Sequence, residues 1–431
     1  MQQINLLVFP CGTEIALEIH RSLKSVPFIN LFGASSVPDH GKFVFANYTE
    51  ELPFITDEHF MEKLNQIIEK NNIQFIFPAY DSVGLFLSEH RENLKAELLI
   101  SPHEAVDICR DKLKTYRFLE GEDFVPQYWT TPEEVRQYPV FIKPSVGQGS
   151  QGARKVENRE ELVRCLTERK EQQAICEYLE GAEYTVDCFT DRFKRLRYAA
   201  FRTRSRIRNG ISVHSELLPM PDEVSLIAKR INELLPMRGV WFFQVKKDRR
   251  GRYKLMEIAT RVAGTMCTER AVGVNLPLLT LYDAMEYDVE ISRQFDGVQV
   301  DRALYNVFRL PGHFSEVYVD FDDTIILHEK VNCQLMRYLY QCVNENISLK
   351  LITKHDEEDI MDALKKYRIA PELFSEIITV KRTERKQDFI RPRPDALFLD
   401  DSFSERKDIE RAFGITVLGT DSVEALIAHS Q

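Results

Sequence analysis

A lysine and three glycines close together give the first indication of chemistry. Residues 141–152 read FIKPSVGQGSQG, so the lysine ends an apolar stretch and the glycines fall in the loop that follows. The backbone N–H groups of such a loop, with one ammonium, can close over an anion such as a nucleotide's phosphates. Neither a Walker sequence nor a Rossmann glycine pattern is present, so we predict a glycine-rich hairpin loop, with an ordinary flexible turn as the alternative. The residues predicted to contact a nucleotide here are Lys143, Gly147, Gly149, Ser150 and Gly152.

Oxygen-bearing side chains farther along the chain suit a cation and a nucleoside. Residues 241–245 and 253–257 are predicted to form a hairpin, in which Gln244 and Glu257 lie on adjacent strands. Both side-chain oxygens can then reach one hard cation such as Mg²⁺. Several carboxylates beside a glycine in residues 177–187 suit hydrogen bonds to an adenine amine and ribose hydroxyls better than metal binding.

Four arginines alternate with other residues between the two segments described above. At a period of two, their side chains point to the same face of a strand. Aligned guanidinium groups repel one another unless they face water or anions. Two interpretations therefore stay open, a solvated edge strand and a clamp for a triphosphate or an acidic substrate. The arginines are Arg202, Arg204, Arg206 and Arg208.

The last third of the chain carries a separate group of acids. An apolar stretch at 317–319 ends in Asp320-Phe-Asp322, which places one carboxylate as a nucleophile and the second, two residues on, as an acid/base. Thr353 ends a second predicted strand in a hydroxyl. Asp400 and Asp401 end a third strand in metal-binding acids.

A cation is expected beside these acids. We predict Mg²⁺ held by Asp320, by Asp400 or Asp401, and by a backbone carbonyl. Lys386 is assigned to neutralising phosphate charge, and Lys381 is the competing assignment.

Strand and helix patterns indicate how these residues are positioned. Residues 1 to about 110 alternate short apolar runs with helical patterns, which is typical of a parallel α/β sheet. Between residues 57 and 71, apolar positions 60, 64, 67 and 68 fall on one helical face. Asp81 follows one strand, at the edge where ligands contact such sheets, and is a further candidate. One long helical pattern begins near Ser101 and runs to Gly121.

Charge, hydropathy and cysteine spacing argue against several classes of protein. The 431 residues carry a net charge of -10, which argues against general binding of nucleic acid. No apolar run approaches the ~20 residues that a membrane helix needs, and the first residues lack a basic region, so a cytoplasmic protein with no membrane partner is expected. The eight cysteines are scattered singly and are expected to be reduced.

From about residue 1 to 310 the chain resembles the ATP-grasp superfamily, close to its carbamoyl-phosphate-synthase-like and biotin-carboxylase-like ligases. The resemblance lies in five motifs in order, at residues 111–112 (DK), 141–144 (FIKP), 147–152 (GQGSQG), 177–183 (EYLEGAE) and 256–261 (MEIATR). One departure is Ala259, where many members carry an asparagine that supplies a ligand oxygen. The implied roles are phosphate contacts for Lys112 and Lys143, adenine contacts for Glu177 and Leu179, ribose contacts for Glu183, Mg²⁺ ligation for Gln244 and Glu257, and binding of the substrate anion for Arg261.

The C-terminal third resembles the haloacid-dehalogenase-like (HAD) phosphatases. The Asp-x-Asp motif is followed in order by Thr353, Lys386 and Asp400-Asp401, and core elements fill the intervals, so no cap domain is expected. The expected fold is therefore α/β in three parts. These are a Rossmann-like pre-ATP-grasp domain (1–110), ATP-grasp α+β domains (111–312) and a capless HAD-like Rossmannoid domain (313–431).

These resemblances imply a bifunctional enzyme. One half would be an ATP-dependent ligase that joins a small carboxylate to an amine or similar nucleophile, and the other a phosphatase acting on a phosphorylated substrate through an aspartyl phosphate. The implied cofactors are ATP and Mg²⁺, with Mn²⁺ as an alternative ion, and a homodimer is compatible with related ligases. The alternative hypothesis is that the ATP-grasp half only senses nucleotide or holds substrate, and that the phosphatase alone is catalytic.

Overall fold

The computed structural model describes residues 3–428, except for 51, 148, 150, 170, 209, 296, 309, 311 and 356, and describes only the backbone of 357 and 358. The chain forms two compact units, Met1–Leu304 and Tyr305–Gln431. The three predicted domains remain a prediction. Among the described residues, no helix is both long and apolar enough to cross a bilayer.

A five-stranded parallel sheet begins the N-terminal unit. Its strands are β1 (Ile4–Phe9), β2 (Ile29–Ala34), β3 (Asn47–Thr49), β4 (Phe75–Pro78) and β5 (Glu97–Leu98). They lie in the order β3-β2-β1-β4-β5, and every pair is parallel. Leu6 and Val8 of β1 pack into one apolar core, and Leu7 and Phe9 pack into another. Both faces of the central strand are therefore buried, which explains its nearly continuous apolar sequence.

Helices accompany this sheet and continue through the rest of the unit. The predicted amphipathic helix is present, with positions 60, 64, 67 and 68 all buried. The helices are α1 (Glu14–Leu23), α2 (Gly41–Val44), α3 (Phe60–Lys70), α4 (Asp81–Glu89), α5 (His103–Arg110), α6 (Lys112–Phe118), α7 (Arg159–Thr167), α8 (Asp222–Leu234), α9 (Cys267–Ala271) and α10 (Leu276–Ala284).

The single long helix predicted from Ser101 to Gly121 is wrong. Asp111 is extended, with φ −109° and ψ 116°, and separates α5 from α6. Its carboxylate accepts hydrogen bonds from the backbone N–H groups of Leu113 and Lys114, at 2.8 and 3.2 Å. An aspartate that caps a helix in this way starts a new helix, so the apolar periodicity continues across a break in the backbone.

Two antiparallel sheets make up the rest of the N-terminal unit. The smaller has the order β6-β9-β7-β8, and its β7–β8 hairpin carries the glycine-rich loop, as predicted. Its strands are β6 (Tyr128–Trp129), β7 (Val140–Pro144), β8 (Arg154–Val156) and β9 (Gln173–Glu177). The larger has the order β12-β13-β11-β10-β14-β15, with β16 paired to β13. Its strands are β10 (Glu183–Thr190), β11 (Leu196–Thr203), β12 (Arg206–Arg208), β13 (Ile211–Leu218), β14 (Gly239–Lys247), β15 (Tyr253–Ala259) and β16 (Gln299–Asp301).

The C-terminal unit is built on a second parallel sheet. Its order is β21-β20-β17-β22-β23, and strand β17 at its centre leads into Asp320. The strands are β17 (Glu316–Val319), β18 (Ile326–Leu327), β19 (Lys330–Val331), β20 (Ser348–Thr353), β21 (Glu376–Thr379), β22 (Ala396–Leu399) and β23 (Thr416–Leu418), of which β18 and β19 form a separate hairpin.

Three helices pack with this sheet, and short 3-10 helices connect several elements of the chain. The helices are α11 (Cys333–Asn344), α12 (Glu357–Lys366) and α13 (Phe403–Phe413). The 3-10 helices are Arg91–Asn93, Pro132–Glu134, Pro371–Leu373, Lys386–Asp388 and Thr420–Leu426.

Candidate active sites

The predicted nucleotide-binding residues come together around one cavity of the N-terminal unit. The cavity has a volume of about 160 Å³. The predicted residues that line it are Lys112, Lys143, Gly147, Gly149, Glu177, Leu179, Glu183, Gln244 and Glu257. Gly152 lies farther along the same loop, with φ +74°, and its carbonyl accepts a hydrogen bond from Arg169. Ser150 lies outside the described residues.

Lys143 is buried and lines this cavity. Its ammonium donates hydrogen bonds of 2.8 Å to the Tyr116 hydroxyl and of 2.8 Å to the Met256 carbonyl. Burial lowers the pKa of Lys143. Tyr116 also donates to the Met256 carbonyl, at 2.8 Å. Tyr116 therefore helps to hold the lysine, a role that the sequence did not reveal because the tyrosine lies 27 residues before its partner.

The predicted metal ligands Gln244 and Glu257 face each other across β14 and β15, in direct register. The Lys112 ammonium lies 3.6 Å from a Glu257 oxygen and 3.4 Å from the Gly147 carbonyl. Two hard oxygens on adjacent strands fit Mg²⁺, which usually takes one or two protein ligands together with substrate phosphates.

The two other predicted nucleotide-binding acids already have protein partners. Glu177 accepts a hydrogen bond of 2.9 Å from the backbone N–H of Gln127. Glu183 pairs with the Arg204 guanidinium, 2.6 Å away. These contacts fix both carboxylates at the edge of the cavity.

Arg261 lies in a second cavity, of about 350 Å³, beside the first. Several residues line both cavities, among them Lys112, Gln244 and Glu257. The Arg261 guanidinium forms two parallel hydrogen bonds, of 2.8 and 2.9 Å, with the Asp81 carboxylate. Burial opposes ionisation of Asp81, but the adjacent guanidinium holds the pKa of Asp81 below its usual value. The two candidates at 81 and 261 therefore form one charged pair.

The four arginines do not share one strand face. Strand β11 ends at Thr203 and β12 begins at Arg206, so the alternation is broken between them. Arg202 is buried against Asp187, and Arg204 lines both cavities. Arg206 pairs with Asp301 on the exposed surface, and Arg208 is also exposed. Neither interpretation, a solvated edge strand or an anion clamp, therefore describes all four arginines.

In the C-terminal unit, Asp320 and Asp400 lie next to each other at one edge of the sheet. Val319 pairs with Leu399 in parallel strands, so the residue after each strand end emerges at the same place. One ligand oxygen from each of Asp320, Asp400 and Asp401 lies within 4.8 Å of the others. The Lys386 ammonium contacts Asp320 at 2.6 Å and Asp400 at 2.7 Å, whereas Lys381 is exposed.

Buried charge dominates this cluster. Burial raises the pKa of Asp320 to about 7, with the Lys386 ammonium opposing the rise. Burial also raises the pKa of Asp400. Three carboxylate oxygens this close together are hard donors that fit Mg²⁺ or Mn²⁺.

A histidine contacts both Asp322 and Thr353, the remaining predicted residues of this site. Thr353, fully buried at the end of β20, contacts His355 Nδ1 through its hydroxyl, at 3.1 Å. The same nitrogen lies 3.2 Å from an Asp322 oxygen. His355 therefore links the predicted acid/base to the predicted hydroxyl. Its position two residues after Thr353 could have marked it as a candidate.

Replacing Lys386 with Met should destabilise the chain by about 3–5 kcal/mol, because two buried carboxylates would lose their common counter-charge. The melting temperature of the whole chain, measured without divalent cations, should fall, and adding Mg²⁺ should restore part of the loss. Lys381→Met is the matched control, since that lysine is exposed. Equal melting temperatures for the two variants would contradict the proposed charge balance.

Comparison with known proteins supports the interpretation of the N-terminal unit. Residues 169–303 match the family model described as ATP-grasp in the biosynthetic pathway with Ter operon. The chain is 26% identical to the 3-methyl-D-ornithine–L-lysine ligase of Methanosarcina acetivorans over 237 residues, which are 53% of this chain and 61% of that enzyme.

Two solved structures share the fold. The first is the biotin carboxylase domain of the Hydrogenobacter thermophilus 2-oxoglutarate carboxylase, solved with MgADP and bicarbonate, with TM-score 0.56, 17% identity and coverage of 68% of this chain and 72% of that chain. The second is the L-amino acid ligase of Bacillus licheniformis, with TM-score 0.52, 18% identity and coverage of 66% and 75%. ATP and Mg²⁺ as cofactors are consistent with the MgADP in the first of these structures. The chain is therefore similar to ATP-grasp proteins over residues 169–303 and to a known ligase over about half of its length.

Proposed function

We propose that the chain is a two-activity enzyme, an ATP-dependent carboxylate–amine ligase joined to a metal-dependent phosphatase. The observation that carries the ligase is the overlap of two cavities along Lys112, Gln244 and Glu257. A nucleotide in the first cavity would direct its terminal phosphate towards an acid held beside Arg261 in the second. The names of the lysine-adding relative and the amino acid ligase support an amine as the nucleophile.

The chemistry of ligation assigns a task to each group. A carboxylate is a poor electrophile until one of its oxygens attacks the γ-phosphorus of ATP, which releases ADP and forms an acyl phosphate. The amine nitrogen then attacks the carbonyl carbon, and phosphate leaves as the amine loses a proton. Lys143 and Lys112 would neutralise phosphate charge and Arg261 would orient the acid, so the chain contributes positioning and electrostatic stabilisation. Gln244 and Glu257 would hold Mg²⁺, which supplies charge neutralisation at the phosphates.

The phosphatase proposal depends on the carboxylate cluster at the edge of the C-terminal sheet. Asp320 would attack the phosphorus of a phosphate ester, and Asp322 would protonate the leaving oxygen and later activate water. Lys386 and Thr353 would bind the phosphoryl oxygens. Asp320, Asp400 and Asp401 would hold Mg²⁺, which supplies Lewis acidity towards the phosphoryl group.

Incubating the protein with MgATP and pools of carboxylates and amines should release ADP and phosphate only when both substrate types are present. Mass spectrometry of active pools would identify the condensation product. If MgATP binds but no pool releases ADP, the N-terminal unit is a nucleotide-sensing or substrate-holding module, and the ligase proposal fails.

Replacing Lys143 with Met should weaken MgATP binding by about 1.5–3 kcal/mol, because a charge-assisted contact to phosphate is lost. Titration calorimetry measures the change directly. Lys114→Met is the matched control, since Lys114 is exposed on α6 and pairs with Asp107 at 2.7 Å. Equal affinities of the two variants would remove Lys143 from the nucleotide site.

Asp320→Asn should abolish hydrolysis of p-nitrophenyl phosphate in Mg²⁺, since the amide cannot form an aspartyl phosphate. Asp362→Asn, an exposed substitution on α12, is the control and should retain full activity. Wild-type turnover in Asp320→Asn would rule out Asp320 as the nucleophile.

A further inference from the structure

A histidine in the C-terminal unit makes two polar contacts through one ring nitrogen. His355 Nδ1 lies 3.1 Å from the Thr353 hydroxyl oxygen and 3.2 Å from Oδ2 of Asp322. Thr353 is fully buried, whereas the Asp322 side chain is 62% exposed. The proposed phosphatase mechanism gives a task to both of these residues and none to the histidine that connects them.

The fold fixes the position of the His355 ring. Strands β17 and β20 are parallel neighbours, with Val319 opposite Leu351, so the segments that follow them emerge at the same edge of the sheet. The rings of His355 and the buried Phe321 form a T-shaped pair, with centroids 5.6 Å apart and planes at 89°. An apolar contact therefore holds the imidazole in addition to its polar contacts.

Asp322, by contrast, has little else to hold its carboxylate. Within the part of the chain that the structure describes, this carboxylate makes no other ion pair or side-chain hydrogen bond. An exposed side chain without a partner samples several rotamers, whereas a general acid must lie within hydrogen-bond reach of the leaving oxygen. The contact with His355 is therefore what selects one orientation of the Asp322 carboxylate.

The hydrogen on Nδ1 determines what these contacts can do. A single ring nitrogen donates one hydrogen or accepts one, and cannot do both. Oδ2 of Asp322 can accept a hydrogen bond whether the carboxyl group is ionised or carries its proton on Oδ1, so the contact is favourable in both forms when Nδ1 bears the hydrogen. Thr353 cannot then donate to Nδ1, and its hydroxyl hydrogen remains available to another acceptor, such as a phosphoryl oxygen.

We propose that His355 is a positioning residue of the phosphatase. Its Nδ1–H group would hold Oδ2 of Asp322, which leaves Oδ1 to give a proton to the leaving oxygen as the P–O bond breaks. Oδ1 would later take a proton from the water whose oxygen replaces Asp320 on phosphorus. The same Nδ1 hydrogen would direct the Thr353 hydroxyl towards the phosphoryl group. This inference rests on the proposed phosphatase function.

Leaving groups of different basicity separate this role from a structural one. The p-nitrophenolate ion is weakly basic and departs without a proton, whereas the more basic phenolate and p-methoxyphenolate ions gain more from a general acid. Misplacing the Asp322 carboxyl group should therefore slow the hydrolysis of phenyl and p-methoxyphenyl phosphate more than that of p-nitrophenyl phosphate. A general loss of structure, or weaker binding of the phosphoryl group through Thr353, would slow all three reactions alike.

The experiment measures kcat/KM of the full chain for the three aryl phosphates in Mg²⁺, because kcat/KM includes the step that expels the phenolate. His355→Ala should raise the ratio of the p-nitrophenyl value to the phenyl value by about 10- to 100-fold, a part of what a general acid usually contributes. His313→Ala, an exposed substitution before β17, is the matched control and should leave the ratio unchanged.

Two further substitutions at position 355 test the donor atom itself. His355→Asn should restore a ratio close to that of the wild type, because its amide nitrogen stands the same number of bonds from the backbone as Nδ1 and can donate to Asp322. His355→Gln also carries an amide but places it one bond farther out, so its ratio should match that of His355→Ala. Melting temperatures establish that each variant is folded.

Nitrogen-15 spectra of the histidine-labelled protein give a measurement that needs no substrate. They are recorded at about pH 8, where an ordinary histidine is neutral. The Nδ1 signal of His355, assigned by its absence from His355→Asn, should have the chemical shift of a nitrogen that carries hydrogen. A bare Nδ1 in the wild type would contradict the proposal.

The kinetic results can also overturn it. Equal slowing of all three esters in His355→Ala, or a His355→Asn variant no better than His355→Gln, would do so. If the wild type hydrolyses none of the three esters in Mg²⁺ or Mn²⁺, the phosphatase proposal fails, and the assignment of His355 fails with it. Hydrolysis by the wild type, with an unchanged ratio in the alanine and glutamine variants, refutes only the role of His355.

Discussion

The cost of burying an ammonium constrains the centre of the N-terminal unit. Burial of the Lys143 ammonium is tolerated because two oxygen atoms accept hydrogen bonds from it. They are the Tyr116 hydroxyl on α6 and the Met256 carbonyl on β15. The lysine itself stands on β7, so one charge links a helix and two separate sheets. Protein atoms alone therefore fix the position of this ammonium, which is what electrostatic preorganisation requires.

In the C-terminal unit the buried charged groups are mainly carboxylates. There the parallel register of β17 and β22 forces two carboxylates together, and the Lys386 ammonium bridges them. Burial raises the pKa of Asp320, and the Lys386 ammonium opposes that rise without removing it. Both units therefore contain a buried lysine: hydrogen-bonded by neutral groups in the N-terminal unit and paired with two carboxylates in the C-terminal unit.

Local patterns predicted the parts of both sites that depend on neighbours in the chain. The hairpin that pairs Gln244 with Glu257, the glycine-rich loop after β7 and the amphipathic helix α3 all follow from periodicity and turn chemistry. The break at Asp111 was missed because an aspartate inside an apolar period of 3.6 looks like a solvated helix position until its cap is seen.

Contacts between distant residues could not be predicted in this way. Arg202, Arg204 and Arg206 look equivalent in the sequence, yet each finds a different acid, and one of those acids is 95 residues away. The role of Tyr116 likewise depends on a partner on another element, Lys143 on β7. Alternation along a strand predicts which side chains lie on the same face. It does not predict which residues of other elements those side chains contact.

The wall shared by the two N-terminal cavities has a thermodynamic consequence. Lys112, Gln244 and Glu257 border both spaces, so a ligand that reorients any of them changes the environment of the other ligand. Coupling between two binding sites is reciprocal: the factor by which a nucleotide alters the affinity of the neighbouring ligand equals the factor by which that ligand alters the affinity of the nucleotide. Where a ligand does reorient the shared residues, neither affinity is a property of one cavity alone, and the occupancy of each cavity depends on the concentration of both ligands.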